Sequence, residues 1–264
     1  MTAWKPWATE QAMVADFTAW VRHQGWQVYA ETAGWDLVLV RPKDGFQIGV
    51  EAKLRLNADV LCQVIRHDTR LRQGYGPDCH AVLVPAAKAV GGLVTIARRL
   101  NVVVVTGSAP VGGHEVWSGG VWYGKRGWGG CRFDPGLPGN SDGQYTDPTW
   151  PELCPDQRLA LPDYVPDVVG GASAPVALTH WKIQAIKIAC LIEHRGWVTR
   201  SDFKAVNLHM SRWTEGQWLS RIGGGRWAAG PGMPDFRAQH PVNFEQIKAD
   251  LPKWGAALIS EAAA

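Results

Sequence analysis

The chain has 264 residues, of which 46% are hydrophobic and 19% are charged, and its formal net charge is +3. This composition is typical of a soluble globular protein with one or two domains, and we expect no membrane partner because no apolar run approaches the length of a membrane span and the start lacks the apolar stretch of a signal peptide. The five cysteines are scattered without a Cys-x-x-Cys pair, which argues against a zinc site and for reduced thiols in a cytoplasmic protein.

Charge and glycine content divide the chain into three parts. Residues 1–107 and 179–264 are mildly basic, whereas residues 108–178 are acidic and rich in glycine and proline. We interpret the first block as one domain, the middle as an insertion and linker, and the last block as a second domain. The two basic blocks permit nucleic-acid binding by both ends of the chain.

The first block combines helical and strand patterns, which predicts an α/β fold. In chain order, the patterns predict a helix over 9–24, strands over 26–31, 34–40 and 46–54, a helix capped by Asn57, a strand over 80–85, a helix over 93–100 and a strand over 102–105. The last two strands are apolar runs joined through a helix, which indicates a parallel, covered part of the sheet.

The second and third strands bring charged residues to one position. Turn formers between them predict a hairpin whose centre places Asp36 opposite Glu51, and Lys53 shares their face. Carboxylates about 5 Å apart repel unless a hard cation lies between them. With the carbonyl of Ala52 as a further oxygen, the pattern predicts a Mg²⁺ or Mn²⁺ site for phosphodiester hydrolysis. Glu10, on the inward face of the first helix, is a fourth candidate.

The helix after the hairpin carries a polar stripe. Gln63, His67 and Arg70 follow one another at spacings of four and three residues, and Arg66 lies on the neighbouring surface. A basic stripe beside an acidic hairpin would track a phosphate backbone. For His67 and Arg70 we predict a solvated face rather than a part of the active site.

The middle block is a candidate nucleic-acid surface. Its glycine-rich stretch over 115–133 predicts a hairpin or a long loop, in which Lys125 and Arg126 lie between tryptophans. Aromatic and basic residues in this mixture stack on bases and bind phosphates. A loop that the tryptophans pin for structural reasons is the alternative interpretation.

The last block predicts a winged helix-turn-helix. Helical patterns over 181–196, from residue 198 and over 211–222 precede a glycine-rich segment that would form the wing. Arg212 and Arg221 on the third predicted helix, and Arg226 in the loop that follows, are candidate DNA contacts. Such modules also bind proteins, so both kinds of partner stay open.

These features resemble the PD-(D/E)XK nuclease superfamily. The resemblance is carried by Gly34–Val40 and Val50–Lys53 as the two halves of the motif, and by an order of elements over residues 9–106 similar to the restriction-endonuclease-like αβββαβ core with its mixed sheet. The layout with a C-terminal winged-helix-like segment resembles one family of PD-(D/E)XK phosphodiesterases.

The resemblance implies roles for individual residues. It implies metal ligation by Asp36 and Glu51, catalysis by Lys53, a helix carboxylate at Glu10 and a helix-motif glutamine at Gln63. Two positions depart from the superfamily pattern. Trp35 stands in place of the signature proline, and His67 replaces the tyrosine expected four residues after the glutamine.

The sequence therefore predicts a Mg²⁺- or Mn²⁺-dependent endo- or exonuclease that acts on DNA and uses a winged-helix module to bind DNA or a partner. Two alternatives stay open. One is a non-catalytic DNA-binding protein on a nuclease-like scaffold, and the other is a protein-interaction module that uses the tryptophan-rich middle. A homodimer is one option for the oligomeric state, as in many nucleases that cut both strands.

Overall fold

A computed structural model of the protein describes residues 7–67, 74–108, 117–118, 121–122, 132–139, 148–167 and 177–263. The chain forms two compact units, Met1–Leu161 with Val169–Pro175 and Pro162–Val168 with Val176–Ala264. Within the described ranges, no helix combines the length and the apolar character needed to cross a bilayer.

The first unit contains a six-stranded mixed sheet. Its main elements in chain order are α1 (Glu10–His23), β1 (Gln27–Thr32), β2 (Trp35–Val40), β3 (Gln47–Ala52), α2 (Ala58–Arg66), β4 (Cys79–Pro85), α3 (Gly91–Arg99), β5 (Val102–Ser108), the short antiparallel pair β6 (Trp117–Ser118) and β7 (Val121–Trp122), and β8 (Arg132–Asp134). The strand order is β1-β2-β3-β4-β5-β8. Strands β3, β4 and β5 are parallel, and the other neighbours are antiparallel. The predicted α/β class and the parallel pairing of β4 and β5 are confirmed.

Side-chain caps mark the starts of helices α1 and α2. The side chain of Thr9 accepts a hydrogen bond from the Ala12 backbone N–H at the start of α1, and Asn57 caps α2 in the same way through Val60. Every residue of β3 and β4 is buried, and α2 packs on both strands. These strands therefore form the core of the unit, as expected for the covered part of a sheet.

Two turns define where β2 lies. Ala33 and Gly34 both have positive φ angles, of 55° and 91°, which suits a tight two-residue connection from β1. At its other end β2 turns into β3 in the predicted register, with Leu37 opposite Val50. The start of β2 and the end of β3 therefore lie side by side.

The first unit extends beyond the predicted boundary at residue 107. Strand β8 adds to the sheet by pairing with β5. Farther along, Leu159 exchanges two hydrogen bonds with the Gln47 side chain, of 2.9 and 3.0 Å. These contacts join residues 112 positions apart, which local periodicity does not reveal. The short β6–β7 pair lies within the stretch where a glycine-rich hairpin or loop was predicted.

The second unit consists of helices and one two-stranded ribbon. Its elements are α4 (His180–Arg195), α5 (Arg200–Ala205), α6 (Ser211–Glu215), β9 (Leu219–Gly223), β10 (Arg226–Ala229), α7 (Phe236–Gln239), α8 (Pro241–Ala249), α9 (Leu251–Trp254) and α10 (Ala256–Ala263). Its core includes the fully buried indole of Trp213, which contacts the rings of Phe203 and Phe236. The four helices after the ribbon were not predicted.

The predicted length of the third helix in this unit is wrong. Helix α6 ends at Glu215, and Gln217 follows with a positive φ of 55°, which no helix continues through. Arg221 and Ile222 consequently lie on strand β9 of the ribbon. Three consecutive glycines with positive φ angles, at positions 223–225, end this strand and turn the chain into β10.

The packing of β3 on β2 makes Gly49 a sensitive position. A Cβ atom at Gly49 would lie 2.5 Å from Cε2 of Trp35, whereas a Cβ atom at Gly92 in α3 would meet nothing within 4 Å. We expect Gly49→Ala to lower the free energy of unfolding by about 1–3 kcal/mol through overpacking. Gly92→Ala is the control and should leave it unchanged or slightly higher. Urea unfolding measures both, and equal stability of the two variants would contradict the packing described.

Candidate active site

Asp36 lies where the ladder between β2 and β3 ends. The last paired residues are Leu37 and Val50, so Asp36 and Glu51 come next on the two strands, as predicted. Oδ2 of Asp36 accepts a hydrogen bond of 2.8 Å from the Ala52 backbone N–H. The carboxylate thus takes the place of a strand carbonyl, and this bond orients it toward the end of β3.

Lys53 follows directly after β3 and joins two carboxylates. Its Nζ donates to Oε2 of Glu10 at 3.3 Å and lies 3.6 Å from Oδ2 of Asp36. Partial burial lowers the pKa of Lys53, but the nearby charges of Asp36, Glu10 and Glu51 outweigh this effect and raise it above its usual value. The lysine therefore carries a full positive charge at neutral pH.

Glu51 is the buried acid of the site. Its side chain has no solvent exposure, and its Oε1 lies 3.3 Å from Nε2 of His67. Its Oε2 has no hydrogen-bond partner among the described residues. Burial is the main cause that raises the pKa of Glu51, and the charge of Asp36 adds to it, while His67 and Lys53 act in the opposite direction. A buried carboxylate with an unsatisfied oxygen favours binding of a proton or a cation.

Aromatic rings hold His67 beside Glu51. The imidazole stacks on the indole of Trp35 with 4.0 Å between ring centroids and 20° between planes. The ring of His80 lies 5.0 Å from the same indole, and burial lowers the pKa of His80 to about 4, so this histidine is neutral. The indole lies against Gly49, where a side chain would collide with it.

The solvated face predicted for His67 is wrong, because its side chain is only 14% exposed and reaches Glu51. Sequence reasoning treated His67 as a departure from a motif and Trp35 as the replacement of a proline. The two replacements contact each other, and both are structural parts of the site. The only sequence signal for this contact is the position of His67 one turn after Gln63, on the polar stripe that begins on α2.

The other predicted site residues fall into three groups. Gln63 is half-buried on α2, and no hydrogen bond joins its side chain to the other described residues, so the structure does not connect it to the carboxylates. Arg66, Arg212, Arg221 and Arg226 are exposed. Arg70, Lys125 and Arg126 lie outside the described residues.

A divalent cation fits this site in part. The unsatisfied oxygen of Glu51, the neighbouring carboxylate of Asp36 and the end of β3 at Ala52 offer the oxygen donors that Mg²⁺ and Mn²⁺ prefer. In the part of the chain that the structure describes, no three His, Cys, Asp or Glu side chains already form a metal-binding group. A cation would therefore rest mainly on two carboxylates.

Comparisons of the chain with protein-family models, with curated proteins and with solved structures find no match. What the fold and the site define is an α/β protein with a mixed six-stranded sheet. At the open end of its β2–β3 hairpin, opposite the turn, lies a cluster of three carboxylates and one charged lysine, namely Glu10, Asp36, Glu51 and Lys53.

The raised pKa of Glu51 predicts that the difference in stability between the wild type and the variant Glu51→Gln depends on pH. A carboxyl whose pKa is higher in the folded state stabilises the fold below the usual value of 4.5, and this contribution is lost as pH rises through the folded-state pKa. In the presence of a metal chelator, Glu51→Gln should therefore melt at a higher temperature than the wild type at pH 8. Each kcal/mol gained corresponds to about 2–4 °C.

The difference in melting temperature between Glu51→Gln and the wild type should shrink as pH falls below 4.5. Thermal unfolding followed by circular dichroism across this range tests the prediction. The matched control is Glu152→Gln, which changes an exposed carboxylate of the same unit and should show no such dependence. A wild type more stable than Glu51→Gln at pH 8 would refute the assignment of Glu51 as a destabilised buried acid.

Proposed function

We propose that this protein is a metal-dependent nuclease that hydrolyses phosphodiester bonds in DNA. The observation that carries the proposal is the charged Lys53, which is held by Glu10 and Asp36 beside the buried carboxylate of Glu51. These groups lie at the end of a hairpin within an αβββαβ order of elements. Both features support a restriction-endonuclease-like core of the PD-(D/E)XK type.

The acidic residues are the proposed cation ligands. Asp36, Glu51 and the carbonyl of Ala52 would hold Mg²⁺ or Mn²⁺. When bound, the ion would lower the pKa of a water molecule and offset the negative charge of the phosphate. The burial of Glu51 limits competition from solvent for its oxygens.

Lys53 has the complementary role. Because its pKa is raised, it does not act as a base at neutral pH but presents an ammonium group to the anionic substrate. Its contacts with Glu10 and Asp36 restrict the position of Nζ. A preorganised cation of this kind stabilises charge that builds up on a phosphate oxygen in the transition state.

The second unit is the proposed DNA-binding module. Helices α4–α6 followed by the β9–β10 ribbon support a winged helix-turn-helix, in which Arg212 lies on the third helix and Arg221 on the wing. The guanidinium of Arg226 lies 4.1 Å from the centroid of the Trp197 ring. This stacking restrains an exposed cation next to the glycine turn of the wing, which favours contact with a phosphate.

A non-catalytic DNA-binding protein on the same scaffold is the second candidate. The observation in its favour is that Lys53 pairs with both Glu10 and Asp36. The ammonium group thus offsets much of the negative charge of the site without a metal ion. The two candidates differ in one measurable respect, because only the nuclease requires Mg²⁺ or Mn²⁺ for turnover.

Removal of the lysine tests catalysis. We expect Lys53→Ala to lower the rate of DNA cleavage by about 10²- to 10³-fold, because a positioned charge is lost at the transition state. Glu51→Ala should abolish cleavage. The control is Lys43→Ala, which removes an exposed lysine from the turn of the same hairpin and should leave the rate unchanged.

The cleavage assay uses linear, circular, single-stranded and branched DNA with Mg²⁺ or Mn²⁺. Circular dichroism confirms that each variant is folded. Cleavage at the wild-type rate by either active-site variant would overturn the assignment of these residues. Binding of DNA without cleavage of any substrate would favour the non-catalytic candidate.

The wing predicts a salt-dependent contribution to DNA affinity. Arg221→Ala should weaken binding and reduce the slope of log K against log salt concentration by about 1, because one phosphate contact is lost. The control is Lys253→Ala, at a lysine of the second unit that is 80% exposed and lies on α9. Fluorescence anisotropy with labelled duplex DNA at several salt concentrations measures both slopes, and equal slopes for the two variants would exclude the wing as a DNA contact.

A further inference from the structure

The contact between His67 and Glu51 has no role in the function proposed above. Nε2 of His67 lies 3.3 Å from Oε1 of Glu51, and both side chains are largely shielded from solvent. His67 follows directly after the last residue of helix α2 and is its C-cap. A buried pair at the edge of a candidate metal site is either a structural hydrogen bond or a pair of donors for one ion.

The orientation of the imidazole is set before any ion binds. Its ring stacks on Trp35, and the indole in turn occupies the space above Gly49. A ring held on one face in this way loses little side-chain entropy when its nitrogen binds a metal. Such support around a ligand is common in metal sites, where neighbouring groups orient the donors.

The distance and the unsatisfied oxygen both suit a shared ion. Two donor atoms that each lie about 2.1 Å from one ion, at right angles, are about 3.0 Å apart. The observed separation of 3.3 Å between Nε2 of His67 and Oε1 of Glu51 is close to this value. Oε2 of Glu51 is fully buried and has no partner in the described part of the chain, so the acid has an oxygen to offer.

We infer that His67 is a third side-chain ligand of the cation, beside Asp36 and Glu51, and that the site therefore prefers Mn²⁺ to Mg²⁺. The inference rests on the proposed function, since it concerns the same metal site. In the described residues these three side chains do not form a preassembled group, so the Asp36 carboxylate has to approach the His67–Glu51 pair when the ion binds. Mg²⁺ favours an all-oxygen shell, whereas an imidazole nitrogen shifts the preference toward transition metals.

The test measures metal binding rather than cleavage. Isothermal titration calorimetry with Mn²⁺ and with Mg²⁺ is applied to the wild type, Asp36→Asn, His67→Phe and His67→Gln. His67→Phe keeps an aromatic ring to stack on Trp35 but lacks a nitrogen donor. His67→Gln keeps a hydrogen-bond donor for Glu51. Pulsed electron paramagnetic resonance of bound Mn²⁺ detects coupling to an imidazole ¹⁴N nucleus.

If His67 is a ligand, His67→Phe weakens Mn²⁺ binding by at least about 10- to 100-fold and weakens Mg²⁺ binding much less. The wild type shows ¹⁴N coupling, and His67→Gln lacks it. Asp36→Asn weakens the binding of both ions. Equal losses for the two ions in His67→Phe, or wild-type Mn²⁺ without ¹⁴N coupling, would overturn the inference.

The outcomes also separate this inference from the proposed function. Mn²⁺ binding that depends on Asp36 but not on His67 removes the histidine from the metal shell and leaves the metal-dependent nuclease standing. Absence of metal binding by the folded wild type overturns both. Recovery of full Mn²⁺ affinity in His67→Gln assigns His67 a hydrogen-bonding role and likewise overturns the inference.

Discussion

The burial of Glu51 at the end of the central strand β3 is the constraint on which the site depends. A carboxylate without solvent exposure loses its hydration, and among the described residues only His67 offers it a hydrogen bond. Glu51 is buried because β3 lies between β2 and β4 in the middle of the sheet. The same burial that destabilises the acid makes its oxygens available to a cation. Stability and proposed function therefore act against each other at this residue, as is common at active sites.

The arrangement around Glu51 depends on strand register. Side chains alternate along a strand, so a shift of β3 by one residue would turn Glu51 away from the face that it shares with the Trp35 ring and His80. Two features fix the start of β2: the Ala33–Gly34 turn joins it to β1, and the bond from the Ala52 N–H to Asp36 ties it to the end of β3. Asp36 therefore contributes to the geometry of the site as well as to its charge.

The arginines of the second unit divide into structural and exposed groups. Arg195 is largely buried; it pairs with Asp202 and donates to the carbonyls of Trp197 and Leu258. Asp202 also completes the capping box of α5 with Thr199. Arg221 and Arg226, in contrast, lie exposed on the ribbon. Net charge alone does not separate these groups, because a buried, paired guanidinium contributes nothing to a DNA-binding surface.

The sequence by itself determined the order of the elements in the first block, the Asn57 cap, and the hairpin that brings Asp36, Glu51 and Lys53 together. These features depend on periodicity, turn residues and caps, which act over a few positions. Only the tertiary structure decided that β8 and the segment near Leu159 complete the first unit, that α6 stops at Glu215, and that His67 packs between Trp35 and Glu51. These features depend on contacts between distant residues, or on a single left-handed backbone angle, and neither leaves a periodic trace in the chain.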